Sequence, residues 1–283
     1  MASGAISAAL LRRELSARSE AFARKYNLQY QLSYGEAPTV VFHPGADSHG
    51  NFLPETFQAI RNNAAWSRRL NKTHTSGRTS LPKMWDHRWC ELDTCNSSDA
   101  LLMNVFCHPA TFADGRVAGM LGVDGDTQPE FGVRARVPMK EGRSDRTEVD
   151  MVLGSLLVEA KLTESDFQTA SKELLERYTE FARAFARREL PQRNGRYAGY
   201  QLIRNVLAAH AAGASFCLLA DSRRPDLREQ WFGVMRCVRD ADLRTRCKML
   251  TWQELAEVLP DQLRDFLAEK YGIGATAFAA EAD

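Results

Sequence analysis

Two acids and a lysine are spaced in the chain in a pattern that suits metal-assisted chemistry on phosphate esters. Eight residues separate Asp150 from Glu159, and Lys161 follows two residues after that acid. Carboxylate oxygens are the ligands that Mg²⁺ prefers, and Mg²⁺ usually takes only one or two of them from a protein. An ammonium beside such a metal can orient a water molecule and stabilise charge on a phosphate. The pattern therefore predicts metal-assisted hydrolysis.

The register of a predicted hairpin brings these groups together. Gly154-Ser155 is a two-residue turn between two segments rich in Val and Leu, 147–153 and 156–162. Pairing back from the turn places Asp150 opposite Glu159, with Cβ atoms about 5 Å apart. Two carboxylates at that distance repel by up to about 4 kcal/mol at an effective dielectric constant of about 20. A divalent cation would relieve this repulsion.

The two faces of the hairpin differ in character because side chains alternate along a strand. Glu148 and Lys161, opposite one another, share the face of Asp150 and Glu159. The other face is entirely apolar and consists of Val149, Met151, Leu153, Leu156, Val158, Ala160 and Leu162. The alternative interpretation is a solvated strand face with cross-strand ion pairs.

The elements around the hairpin predict a mixed α/β (α+β) domain. Ser97, Ser98 and Asp99 are helix N-cap residues before an apolar run that ends at Phe106. The predicted order from there is helix, three strands, helices, strand, helix, strand, which indicates a mixed sheet flanked by helices. The expected later elements are a strand over 129–139, one long helix over 167–185, a helix over 197–212, a strand over 214–220, a helix over 225–238, a strand over 246–251 and helices over 252–259 and 261–271. Earlier in the chain we expect a helix over 6–24, a strand over 39–42 and a helix after Pro54.

These motifs resemble the PD-(D/E)XK nuclease superfamily, over about residues 97–251, and more closely a small restriction-endonuclease-like family within it. The matching residues are Ser97-Ser98 with Asn104, Pro129-Glu130, Asp150, Glu159-Ala160-Lys161 with Thr163-Glu164, and Tyr200-Gln201 with Arg204-Asn205. The resemblance implies an αβββαβ restriction-endonuclease-like core. Residues 96–283 would form this nuclease domain, and residues 1–95 an N-terminal helical elaboration packed on it.

The resemblance also implies roles for individual residues. Asp150 and Glu159 would bind Mg²⁺, for which Mn²⁺ would substitute, and Lys161 would position the attacking water. Gln201 would support the site from the helix after the hairpin. A further acid is expected among Glu130, Asp99 and Glu148, with Glu130 ranked first. Asp99 is also explained as an N-cap and Glu148 as a partner of Lys161.

The net charge of the chain is close to zero, but its charges are segregated. Lys and Arg total 37 against 36 acids, and 29 of the 37 are Arg, the residue suited to planar phosphate contacts. Residues 61–90 hold seven basic residues and one acid, interleaved with Trp, which suits DNA phosphates and stacked bases. Two further Arg-rich stretches lie at 183–196 and 223–228. The DNA-binding candidates are Arg68, Arg69, Lys72, Arg78, Lys83, Arg193, Arg196 and Arg204.

Partners and compartment follow from the same observations. We expect a Mg²⁺-dependent nuclease that acts on DNA, by resemblance in defence against foreign DNA, and a homodimer would suit a double-strand cut. No membrane-length apolar stretch is present, and we expect a cytoplasmic protein with free thiols. Two alternatives stay open. One is a non-catalytic DNA- or partner-binding module on the same fold, and the other is a zinc-stabilised domain using Cys90, Cys95, Cys107 and His108.

Overall fold

The computed structural model describes residues 3–34, 36–73 and 89–274, so the DNA-binding candidates Arg78 and Lys83 lie outside the described residues. The chain divides into two compact units, one of residues 1–7 and 127–250 and the other of residues 8–126 and 251–283. The interpretation of residues 1–95 as an elaboration on a nuclease domain stays a prediction. No helix in the described ranges is both long enough and apolar enough to span a bilayer.

Helices and short strands alternate throughout the described residues. The helices are α1 (Ser3–Lys25), α2 (Pro54–Asn62), α3 (Ala64–Ser67), α4 (Ser98–Phe106), α5 (Arg116–Leu121), α6 (Lys172–Glu176), α7 (Phe181–Ala184), α8 (Tyr200–Ala212), α9 (Pro225–Met235), α10 (Ala241–Thr245), α11 (Trp252–Ala256) and α12 (Asp261–Tyr271). The strands are β1 (Tyr30–Leu32), β2 (Val40–Phe42), β3 (Pro129–Arg134), β4 (Val137–Pro138), β5 (Ser144–Asp145), β6 (Glu148–Leu153), β7 (Leu156–Ala160), β8 (Thr169–Ala170), β9 (Gln192–Arg193), β10 (Arg196–Ala198), β11 (Ser215–Ala220) and β12 (Cys247–Thr251).

A five-stranded mixed sheet forms the centre of the first unit, in the order β12-β11-β7-β6-β3. Strands β3, β6 and β7 pair antiparallel, and β11 pairs parallel to β7. A parallel neighbour requires a crossover connection, which here includes α8. Strand β7 is buried along its whole length, because the sheet covers both of its edges. The mixed sheet and the α/β class are as predicted.

The segment between β7 and α8 differs from the single long helix predicted over 167–185. The structure has the short strand β8 and two short helices, α6 and α7, in its place. Gln168 has a φ of 60°, which no α-helix accommodates, and Ser171 caps a new helix by accepting from the backbone amide of Leu174. The apolar residues whose spacing suggested one helix are buried in a different way. Strand β8 pairs with β10, and the other apolar side chains of the segment pack into the core of the unit.

Helix α8 begins three residues later than the sequence predicts, because residues 196–198 form strand β10. Gly199 precedes the helix with a φ of 77°, a conformation that favours glycine. A Cβ atom added there would lie 2.8 Å from Cγ2 of Val234, so the residue before α8 packs directly against α9. This start sets the rotation of the helix that faces the hairpin.

Candidate active site

The β6–β7 hairpin has the register that its turn predicts. Leu153 pairs with Leu156, Val152 with Leu157 and Met151 with Val158, and Gly154 takes a φ of 59° in the turn. The apolar face is fully buried, since Val149, Met151, Leu153, Leu156, Val158 and Ala160 are each at most 1% exposed. The hairpin prediction is therefore confirmed for the three pairs next to the turn and for the burial of one face, whereas the predicted pairing of Asp150 with Glu159 and of Glu148 with Lys161 is not part of the observed register.

On the charged face, Glu148 and Asp150 are half-buried, whereas the two charged residues from β7 and its end are buried. Glu159 is 2% exposed and Lys161 is 5% exposed, and their side chains form an ion pair with 2.8 Å between Nζ and Oε1. A solvated strand face would expose both groups. Burial of a charge is tolerated only when the charge is paired and hydrogen-bonded, which is the case for both residues here.

Three carboxylates keep Lys161 protonated. Burial alone would lower the pKa of its ammonium, but the negative charges of Glu159, Glu164 and Asp150 outweigh that effect and hold the pKa above its ordinary value. The ammonium also lies 5.7 Å from the ring centroid of Phe167, on the side of an aromatic face. Lys161 is therefore a fixed positive charge, not a proton donor or acceptor near neutral pH.

Asp150 turns its carboxylate toward the neighbouring strand. Its Oδ2 accepts a hydrogen bond of 2.9 Å from the backbone amide of Ala160, the residue between Glu159 and Lys161. A side chain thus takes the place of a backbone acceptor just beyond the last backbone pair of β6 and β7, Met151 with Val158. This bond anchors Asp150 beside the two other charged residues of the site.

Helix α8 supplies the residue that fixes Glu159. Asn205 Nδ2 donates to Oε2 of Glu159 at 2.7 Å, so each Glu159 oxygen has its own partner. Arg204 is 4% exposed, and its guanidinium donates to Oδ1 of Asn205 at 3.0 Å and to the backbone oxygen of Glu148 at 3.2 Å. Arg204 thereby orients the Asn205 amide and joins α8 to β6.

The sequence-predicted supporter Gln201 lies one turn before Asn205 on the same helix. It is half-buried, and its side chain makes no hydrogen bond to any residue that the structure describes. Sequence reasoning assigned no role to Asn205, although it belongs to the matching motif. The available signal was the four-residue step from Gln201, which places both amides on one helix face. Gln201 itself stays a prediction.

The candidates for a further acid lie in different places. Glu130 is exposed on the edge strand β3 and pairs with Val152 of β6. Asp150 lies two residues before Val152 on β6, so Glu130 and Asp150 are on the same face of the sheet. Glu148, half-buried, pairs with Arg134 on the same face. Asp99 is 5% exposed in the other unit, and its Oδ2 accepts from Arg69 at 2.7 Å and from Lys72 at 3.1 Å.

Several DNA-binding candidates are committed to contacts inside the protein. Arg69 is buried against Asp99, and Arg204 supports the site as described above. Arg193 is exposed but pairs with Asp166 at 2.9 Å, and Arg196 Nε donates to the Thr169 hydroxyl at 3.1 Å. Arg68 is exposed and has no ion-pair partner within the described part of the chain.

The basic stretch after β11 positions the end of β7. Arg224 is 1% exposed, forms a bidentate pair with Asp226 and donates to the backbone oxygen of Leu162 at 3.2 Å. Arg223 pairs with the fully buried Asp221 at 2.6 Å. Arg224 therefore holds the backbone immediately after Lys161, and its charge is not available at the surface.

The described residues contain no group of three or more His, Cys, Asp or Glu side chains arranged to hold a metal ion. Cys90, Cys95, Cys107 and His108 therefore do not form the zinc site considered from the sequence. Asp150 and Glu159 each carry carboxylate oxygens, and Mg²⁺ commonly takes one or two carboxylates from a protein. The chemistry of this donor set suits a hard divalent cation with water ligands.

Comparison with known proteins agrees with the hairpin motif. No curated protein and no solved structure is significantly similar to the chain. One family model, described as restriction endonuclease associating with ARP, matches residues 17–272. That range includes the whole hairpin, α8 and the loop after β11. The chain belongs to this restriction endonuclease family, REase-ARP.

Proposed function

We propose that the protein hydrolyses DNA phosphodiester bonds with Mg²⁺ at the charged face of the β6–β7 hairpin. The observation that carries the proposal is the buried ion pair of Glu159 and Lys161, with the half-buried Asp150 bonded to the backbone between them. Membership of a restriction endonuclease family supports DNA as the substrate. Cytoplasmic defence against foreign DNA is the corresponding biological role, and a homodimer would suit a double-strand cut.

The charges of the site favour a divalent cation. Three carboxylates, those of Glu159, Glu164 and Asp150, act on the single positive charge of Lys161. Glu159 is buried and Asp150 and Glu164 are half-buried, so these like charges act on one another where water screens them little. A divalent cation would relieve this repulsion more than a monovalent ion would, which favours Mg²⁺, and Mn²⁺ with its similar oxygen preference would substitute.

Each side chain would have a separate task in hydrolysis. Asp150 and Glu159 would supply the oxygen ligands, and Asn205 would keep Glu159 in one orientation through its amide. Lys161 would hold a positive charge next to the scissile phosphate and orient the attacking water. Bound Mg²⁺ would supply Lewis-acid polarisation and a more acidic water. Gln201 would contact the same site from α8, as the family resemblance implies.

A restriction-endonuclease-like αβββαβ core would explain this arrangement. In this interpretation β3, β6 and β7 are the three strands, and α8 with β11 completes the core. Glu130 is the preferred further acid because its register places it on the face of Asp150. Residues 1–95 would help to bind the substrate, with Arg68 as an exposed candidate for phosphate contact.

The proposal is tested by incubating the full-length protein with circular and linear DNA in Mg²⁺, in Mn²⁺ and in excess chelator. We expect cleavage with either metal, none with chelator, and none from the folded variants Lys161→Ala and Asp150→Ala. Equal activity in chelator or in these variants would refute the proposal. Cutting of circular DNA identifies endonuclease action, whereas dependence on free ends identifies exonuclease action.

The second candidate, a non-catalytic DNA-binding module, makes a different prediction for the same protein. DNA would bind without cleavage, and calorimetry would detect no Mg²⁺ binding. The buried ion pair of Glu159 and Lys161 argues against this function, because a purely structural strand face would leave both charges in solvent. The two measurements together therefore separate the candidates.

A further inference from the structure

The second unit contains an aromatic cavity that the proposed nuclease site does not use. It has a volume of about 310 Å³, and residues from α1, the loop before α2 and α12 line it. Its walls include the rings of Phe22, Tyr26, Phe52 and Phe266. A pocket of this size with apolar walls and a few polar groups is typical of a small-ligand site.

The aromatic walls are held in place before any ligand binds. Phe22 meets Phe266 edge-to-face with ring centroids 5.7 Å apart, and it lies 4.6 Å from Tyr26. His49 packs edge-to-face on Phe52 at 5.1 Å. The His49 Nδ1 accepts from the Asn51 amide, and its Nε2 contacts Asp93 at 3.1 Å, so the ring is fixed at both nitrogens. The cavity is therefore preorganised.

Two carboxylates on α12 give the cavity a negative rim. Glu269 accepts from Lys25 Nζ at 2.7 Å and from the Tyr26 hydroxyl at 3.0 Å, and the hydrogen bond from Lys25 holds the pKa of Glu269 below its ordinary value. Asp265, one turn earlier, is exposed and makes no ion pair with any residue in the described ranges. The rim thus keeps an uncompensated negative charge beside aromatic rings.

The same rings already contact the side-chain nitrogens of two lysines. Lys25 Nζ lies 4.8 Å from the ring centroid of Tyr26, and Lys270 Nζ lies 5.1 Å from that of Phe22. An ammonium is attracted to the negative face of an aromatic ring, most strongly where water is excluded. A negative rim repels phosphate-bearing ligands and favours cations. Aromatic walls and an acid together therefore select a cation with an apolar body.

We propose that this cavity binds an organic ammonium group, such as a methylated amine, with the cation between the aromatic walls and Asp265. The ammonium can come from a free small molecule or from a methylated lysine side chain, since both present the same chemistry. The site lies within one unit and involves none of the residues assigned to DNA hydrolysis. Its failure would leave the nuclease proposal unaffected, because binding is measured without DNA or Mg²⁺.

The test titrates the full-length protein with choline and with its uncharged isostere, 3,3-dimethylbutan-1-ol, by calorimetry or ligand-observed NMR. We expect choline to bind at least about tenfold more tightly, because only the cation gains from the rings and the acid. Equal affinities, binding of neither probe, or tighter binding of a nucleoside would overturn the proposal. A trimethyllysine peptide and its leucine counterpart form a second arm that distinguishes a protein source from a free amine.

Matched variants locate the binding to this cavity. Asp265→Asn and Tyr26→Leu should each weaken choline binding about fivefold or more, whereas Asp261→Asn, an exposed acid on α12 outside the cavity, should leave it unchanged. Lys25→Met should strengthen binding, because it releases Glu269 from its ion pair. Unchanged affinity in both Asp265→Asn and Tyr26→Leu would also overturn the proposal, and circular dichroism checks that each variant is folded.

Discussion

Glu159 is the residue on which the proposed chemistry depends most, because its two oxygens have different partners. One contacts the Lys161 ammonium and the other accepts from Asn205. A buried carboxylate that loses one partner keeps its desolvation cost and gains freedom to rotate, which misplaces a metal ligand. The Asn205 amide is thus needed to hold the Glu159 carboxylate in one orientation.

Replacing Asn205 by leucine tests that claim. We expect the cleavage rate of Asn205→Leu to fall by about tenfold to a thousandfold, since loss of a supporting contact typically costs 10- to 100-fold and the buried oxygen is left unpaired. Gln201→Leu, one turn earlier on α8, is the matched control and should lose less. A larger loss in Gln201→Leu would instead favour the assignment made from the family resemblance.

Two neighbouring arginines separate surface recognition from structure. Arg68 is exposed, whereas Arg69 is buried against Asp99. We expect Arg68→Ala to weaken DNA binding and reduce its salt dependence with little change in thermal stability. Arg69→Ala should lower stability by about 3–5 kcal/mol, because it removes a partner of a buried charge. Binding titrations at several salt concentrations and thermal melts check both expectations.

At this scale the sequence predicted which charged residues lie close together on the hairpin, but not the contacts that hold them. The spacing of Asp150, Glu159 and Lys161 depends only on a local turn and on strand alternation, which are short-range properties. The amide of Asn205 and the guanidinium of Arg204 reach the site through the packing of α8, which no local pattern encodes. For the same reason, Arg224 looked like a surface charge before its burial was known.

At the scale of elements, the start of α8 controls where Asn205 meets the hairpin. Gly199 and Gly213 flank this helix with φ values of 77° and 63°. Only at Gly199 does an added Cβ meet a neighbour, Val234, whereas nothing lies within 4 Å of one at Gly213. An alanine at either position would therefore pay the cost of a left-handed backbone conformation, but only an alanine at position 199 would also clash with a neighbouring side chain.

We expect Gly199→Ala to destabilise the protein by about 2–4 kcal/mol and Gly213→Ala by about 1 kcal/mol. Gly199→Ala should also reduce the cleavage rate of the folded protein, because the rotation of α8 moves Asn205. Denaturant titration and single-turnover assays measure the two effects. Equal stability losses would show that the close approach to Val234 does not constrain this helix.

The accuracy of the element predictions follows the range of the interactions involved. The hairpin and α12 were predicted closely, because a turn, strand alternation and N-terminal Pro and C-terminal Gly signals specify them locally. The segment 167–185 was predicted wrongly as one long helix. Its apolar residues have helical spacing, but they are buried by tertiary contacts around β8 and not on one face of a helix. Periodicity alone does not distinguish these cases.

At the scale of the whole molecule, a buried lysine makes stability depend on pH. Lys270 is fully buried, donates to the backbone oxygen of Gly50 at 2.8 Å and packs on three aromatic rings. Burial lowers its pKa from 10.5 to about 7, opposed by the nearby thiol of Cys95. Between those values the unfolded chain binds a proton that the folded chain does not, so stability rises with pH.

We therefore expect wild-type stability to rise by up to about 1.4 kcal/mol per pH unit above pH 7 relative to Lys270→Met. Below about pH 7 the difference becomes constant, because Lys270 is protonated in both states. Lys172→Met, at an exposed lysine on α6, is the control and should keep the wild-type pH dependence. Thermal melts across this pH range measure the effect, and identical profiles for all three proteins would contradict the assignment.

The near-zero net charge of the chain is also clearer at this scale. Many of its arginines neutralise acids inside each unit, as Arg69, Arg223 and Arg224 do, so the total says little about the surface. The central claim concerns one place within this balance, the carboxylates around Lys161, where a divalent cation would bind.

Metal-directed cleavage of the protein itself tests that claim most directly. Fe²⁺ would replace Mg²⁺ in the full-length protein, and ascorbate with peroxide would then generate radicals that cut the backbone beside the bound metal. We predict cuts near Asp150 and near residues 159–161, suppressed by excess Mg²⁺ and absent in Asp150→Asn. Cuts only elsewhere, such as near Asp99, in a protein that still cleaves DNA would contradict the account.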